Sequence, residues 1–123
     1  MRPMPPILGL LASAVIAFGA GAAMAKTLDT VVSFTVLADV VKNVGGDHVR
    51  VKSFVPPNGD PHDYEPTPDD AKALKAADLT FVSGEGLETW FERLVKASGY
   101  DGTPIVASAG IKTHTMDEDG VTV

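Results

Sequence analysis

One seven-residue stretch of this 123-residue chain carries most of its potential for chemistry. Asp60-Pro61-His62-Asp63-Tyr64-Glu65-Pro66 sets one imidazole among three carboxylates, braced by two prolines. Imidazole and carboxylate donors together suit zinc, manganese or iron(II). Proline fixes φ near a single value, so a ligand in this stretch would be pre-positioned, and the surrounding acids favour a cation. One imidazole does not make a metal site, because closed sites converge about four donors. From composition and spacing alone, an exposed polar loop with an incidental histidine accounts for these residues at least as well. His62 is therefore the candidate ligand only within a wider argument.

The remaining reactive side chains read more plainly. His48 falls on the polar face of a strand and is expected to be solvated. His114 lies in a polar tail, within conceivable reach of a metal, and is assigned no role. Glu85, flanked by Gly84 and Gly86, reads as a turn-shaping residue. Trp90 and Phe91 sit on the inner face of a helix, where packing is the expected use. Tyr64 either shields the acidic loop or packs against it. The chain contains no G-x-S-x-G, no H-E-x-x-H, no G-x-x-x-x-G-K, and no G-x-G-x-x-G after its first strand. With no cysteine, thiol catalysis is excluded. An acid–base pair of His62 and a neighbouring carboxylate would be a hydrolase reading; it ranks last because no nucleophile or oxyanion-hole motif accompanies it. The chain is read as not an enzyme.

The elements that must position the loop follow from hydrophobic spacing. Thr30 to Val36 is β-branched and apolar and reads as a buried strand. Leu37, Val40, Val41 and Val44 then recur at helical spacing, with Gly45-Gly46 as the stop. Residues 48–55 alternate, with Val49, Val51 and Val55 on one side and His48, Arg50 and Lys52 on the other. Pro56-Pro57-Asn58-Gly59 ends that strand in a turn. Thr67-Pro68-Asp69-Asp70 opens a helix whose inner face is Ala71, Leu74 and Ala77. Leu79 to Val82 is a short buried strand. Leu87, Trp90, Phe91, Leu94 and Val95 predict another helix, closed by Gly99. Thr103 to Ala107 predicts a last strand, and the chain is polar and weakly patterned from Lys112 onward. This alternation predicts an α/β fold, a parallel sheet flanked by helices. In such sheets ligands bind beyond the carboxyl ends of the strands, and 56–67 lies there.

Composition sets the wider frame. Residues 1–25 read as a signal peptide: Arg2 is followed by the apolar run Ile7 to Ala23 and the small-residue motif Ala23-Met24-Ala25. A membrane anchor is the competing reading of that run. Cleavage after Ala25 would leave 98 residues, enough for a small core, with 9 basic against 16 acidic groups, a net charge of −7. Such a chain repels phosphate and is read as no binder of nucleic acid. The absence of cysteine leaves no disulfide framework and no lipid-accepting residue of the bacterial lipoprotein kind.

The linked motifs carry a resemblance. Val55 to Leu79, VPPNGDPHDYEPTPDDAKALKAADL, resembles the signature of the periplasmic zinc/manganese substrate-binding proteins of ABC transporters. The preceding VVSFTVLADVVKNVGGDHVRVKSFV is similar to that family's opening strand, helix and second strand, and GLETWFERLVKASG to its third helix. Together the matches span residues 30–111. The resemblance implies two α/β lobes joined by a long rigid helix, with metal between them and His62 as the first ligand. It implies that residues 26–123 are the N-terminal lobe, with the second lobe and the other ligands absent, so that the chain reads as a truncated copy.

The function so implied is capture of a divalent transition metal for an ABC importer by a periplasmic, monomeric protein that docks on a membrane permease. Manganese or zinc is the expected metal, with iron(II) open. The DPHxYEPTP form and the lack of a histidine-rich loop tilt the choice towards manganese. The alternative is a surface interaction or adhesion module without tight metal binding. N-terminal sequencing of exported material should find Lys26 first; a mature chain starting at Met1 would contradict the cleavage.

Overall fold

The computed structural model describes residues 24–114, 117–118 and 121–122. The expected signal peptide therefore lies outside the described residues, apart from Met24 and Ala25, which are exposed. Strand β1 spans Leu28–Val32, helix α1 Thr35–Gly45, β2 Val49–Ser53, α2 Pro68–Ala76, β3 Leu79–Val82, α3 Phe91–Ser98 and β4 Ile105–Val106. These four strands form one parallel sheet in the order β2-β1-β3-β4. Two further strands, β5 (Asp117–Glu118) and β6 (Val121–Thr122), pair antiparallel as a separate ladder that the polar pattern after Lys112 does not announce.

The first strand ends four residues earlier than its β-branched run predicts. Thr35 and Val36 open α1 instead, with Phe34 extended at the N-cap. The cause is not local. The Ser33 hydroxyl donates to Glu88, 55 residues away, at 2.6 Å, and this holds the chain where it leaves the sheet.

Strand register sorts the side chains onto two faces, because laterally paired residues of a parallel sheet point the same way. Val31 pairs with Lys52 and with Thr80, and this face receives α2 and α3. Val31, Val82, Leu74, Leu94, Trp90 and Phe91 form its core together with Phe54 and Val55. Leu74 and Trp90 are fully buried, and truncating side chains of this size in a core costs about 2–5 kcal/mol. Thr30 and Val32 turn to the other face, buried beneath α1.

Helix α1 covers only half of that second face. Its predicted inner residues Leu37 and Val41 are half-buried, while Val40 and Val44 stand 53% and 85% exposed. Together with Leu79 and Phe81 of β3 they line an open apolar groove of about 430 Å³. A right-handed crossover from β1 to β2 lays α1 over those two strands, so the β3–β4 side of this face has no helix among the described residues.

Helix α2 starts as its sequence predicts. Pro68 takes the first position, and the Thr67 side chain accepts from the Asp70 backbone N–H while Asp70 accepts from the Thr67 N–H, closing a capping box. Asp70 does more than cap. Its Oδ2 also accepts the Tyr64 hydroxyl at 2.8 Å, and Lys52 of β2 approaches Oδ1 at 3.5 Å. Burial pushes the Asp70 carboxyl up, but the Thr67 and Tyr64 hydrogen bonds and the Lys52 charge outweigh it and hold the group below the usual carboxylate range. Burial, with the bond to Asp70, pushes the Tyr64 phenol up to about 12, so it stays a donor at all ordinary pH.

A carboxyl held below its unfolded value stabilises the fold above that value and loses the contribution as pH falls through the folded one. Stability measured by urea melts should therefore drop as pH falls below about 4. Asp70→Asn should cost about 2 kcal/mol at pH 7 and flatten the acid limb. A variant whose acid limb keeps the wild-type slope would show that other carboxylates set it.

Candidate metal centre

The segment from Phe54 to Thr67 connects the carboxyl end of β2 to α2. It begins anchored: Phe54 and Val55 donate their N–H groups to Val32 and Ser33, extending the β1 ladder, and both side chains are buried. The predicted turn follows, with Gly59 N–H donating to Pro56 C=O and Asn58 at φ 65°. Asparagine tolerates that left-handed conformation better than most residues.

The backbone around His62 is then held on every side. The His62 N–H donates to Asp60 Oδ1 at 2.8 Å, closing a local turn. The Pro61 carbonyl accepts the Trp90 indole N–H at 2.8 Å, and the His62 carbonyl accepts the Thr89 hydroxyl at 2.9 Å. Both peptide groups of His62 are thus fixed while its imidazole remains exposed. Tyr64 packs edge-on against Trp90, ring centres 5.1 Å apart, so it both packs beneath the loop and bonds Asp70.

The three neighbouring acids separate in role. Asp60 serves the loop's own backbone. Asp63 is exposed, and Glu65 faces Arg93 of α3 at 3.8 Å. Among the described residues no three His, Asp or Glu side chains converge on a common point. His48 is exposed as expected, but it ends a short 3-10 turn, Gly46–His48, before β2 and does not lie on the strand, and His114 is exposed. Glu85 is exposed at φ 54° between Gly84 and Gly86, both at positive φ, which fits its reading as a turn residue. Trp90 and Phe91 lie in the core, as expected.

The segment that supports the loop is the part the hydrophobic pattern misplaces. Helical spacing predicts a helix from Leu87, yet α3 begins at Phe91. Residues 84–90 form turns, and Glu88 points back to the sheet. Its Oε1 accepts the Ser33 hydroxyl and the Ser83 N–H, both at 2.6 Å, and its Oε2 accepts the Gly84 N–H at 3.1 Å. Gly84 has no room for a side chain: a Cβ there would sit 2.5 Å from Val106 and 2.7 Å from Ser108, at φ +89°. Glu88 and Thr89 carry no spacing signal of their own. The only hint is that two polar residues interrupt an otherwise apolar run just before a tryptophan.

Comparison with known proteins gives a consistent picture. Residues 30–122 match the family described as zinc-uptake complex component A, periplasmic. The manganese-binding lipoprotein MntA of Halalkalibacterium halodurans is 36% identical over 121 residues, which cover 85% of this chain and 40% of that protein. The manganese ABC transporter substrate-binding lipoprotein PsaA of Streptococcus pneumoniae is 47% identical over 73 residues, 56% of this chain and 24% of that one. A crystal structure of ZnuA superposes with a TM-score of 0.66 at 35% identity, covering 75% of this chain and 35% of its own. The chain thus spans between a quarter and two fifths of the length of these curated relatives. Its parallel sheet and helices are those of one lobe of such receptors.

Proposed function

The chain belongs to the zinc-uptake complex component A family, and on that premise we propose that it acts as a metal-capturing lobe of an exported solute-binding protein that serves an ABC importer. The cargo is a divalent ion, manganese or zinc, and the His62 imidazole is a ligand to it. Residues 26–123 form the lobe, a cleaved leader exports it to the periplasm, and the partner is a membrane permease. The relatives' names support both metals: MntA and PsaA are named for manganese, the family for zinc.

The observation that carries this reading is the way the DPHDYEP loop is built. It stands at the carboxyl end of the sheet, where α/β folds bind ligands, with both His62 peptide groups tied down and the imidazole left free. Neutral imidazole suits either metal, and the exposed Asp63 and Glu65 add negative field near it. The chemistry is capture and release without bond making, so no proton acceptor or nucleophile is required.

One imidazole supplies one donor, and a tight site converges several. The described lobe is therefore expected to bind weakly. Calorimetry of residues 26–123 with Mn²⁺ and Zn²⁺ should give Kd values above about 1 µM, and His62→Ala should abolish the heat. A one-to-one complex below about 1 µM that survives His62→Ala would overturn the assignment.

A further inference from the structure

We infer that Thr89 is a positioning residue for His62, and that it acts as the tip of a support running from the sheet through Glu88, Thr89 and Trp90. The inference rests on the reading of His62 as a metal ligand and adds what sets that ligand's place. A ligand on a long connecting segment faces a difficulty, because loops sample many conformers. Here the segment from Phe54 to Thr67 is neither helix nor strand, and beyond its own turns at Pro56–Gly59 and Asp60–His62 its place is set from outside.

Three consecutive residues impose it. Glu88 gathers three donors, two at the end of β3 and one just past the end of β1, and so fixes the 88–90 backbone to the sheet edge. Trp90, fully buried and met edge-on by Phe54, Tyr64 and Phe91, fixes the Pro61 carbonyl. Thr89 fixes the next carbonyl, that of His62 itself.

The Thr89 hydroxyl is the informative one. It stands one residue before Trp90, the N-cap of α3, and α3 has no side-chain cap bond. The hydroxyl instead crosses 27 residues of sequence to an exposed carbonyl. An exposed carbonyl is satisfied by water at little cost, so the bond adds little stability. Its effect is orientation: with the carbonyl held, the peptide plane and hence the Cα–Cβ direction of His62 are set relative to the sheet.

Thr89→Val keeps the shape and removes the donor, and Thr89→Ser restores it. In metal-free protein, amide ¹⁵N relaxation should show greater mobility at residues 61–63 in Thr89→Val and wild-type rigidity in Thr89→Ser, with the same melting temperature in all three. Titration with MnCl₂, read by paramagnetic broadening of the His62 ring protons, should be about twofold weaker in Thr89→Val, the low end of what one hydrogen bond contributes, and normal in Thr89→Ser. Unchanged loop mobility in Thr89→Val overturns the inference, whatever the metal does. Equal broadening in wild type and Thr89→Val also overturns it. If wild-type His62 does not broaden at all, the ligand reading fails, and the relaxation data alone decide whether Thr89 holds the loop.

Discussion

The hydrogen bond from the Trp90 indole to the Pro61 carbonyl joins the core of this protein to its loop. The ring is wholly enclosed and meets three other aromatic rings at steep angles, a geometry in which the edge of one ring faces the electron-rich face of another. A buried indole needs an acceptor for its single donor, and the loop supplies it. The core is therefore complete only when the 60–63 segment is docked, and the segment is docked only when the core is formed. Folding and site assembly become one event.

Two carboxylates extend that arrangement in opposite directions. Asp70 binds the far end of the loop, taking the Tyr64 hydroxyl and closing the cap of α2. Glu88 lies on the sheet side and takes no hydrogen bond from the loop, tying the turn before α3 to the ends of β1 and β3. Each accepts bonds from three or more donors, the condition under which a partly buried carboxylate stabilises rather than strains its surroundings. The acidity of the chain is thus divided. These two acids serve the architecture, while Asp63 and Glu65 remain at the surface beside His62.

What could be read from the residues beforehand was whatever depends on near neighbours. The T-P-D-D start of α2, the strand Leu79–Val82, the turn at Asn58-Gly59 and the glycine closing α3 all follow from local spacing and backbone preference. The end of β1 and the start of α3 did not: both lie beside the Ser33–Glu88 bond, a contact spanning 55 residues that no local pattern reports. The loop's composition singled out His62, but its supports lie 27 and 29 residues onward and have no motif. The alternation that gave the sheet could not say which half of a face a helix would cover. Val40 and Val44 fit a buried stripe by period and yet stand in water.

That half-covered face bears on how the domain unfolds. The heat-capacity change and the denaturant sensitivity of unfolding both scale with surface newly exposed to water. Around the groove beside α1, Val40, Val44, Ile105 and Val106 are exposed in the folded state of the described residues, and melting exposes these four less than buried side chains. The lobe should therefore show a flatter stability curve and a shallower denaturant slope than a domain of its length with both faces sealed. Its transition would be broad through geometry rather than through any loss of cooperativity.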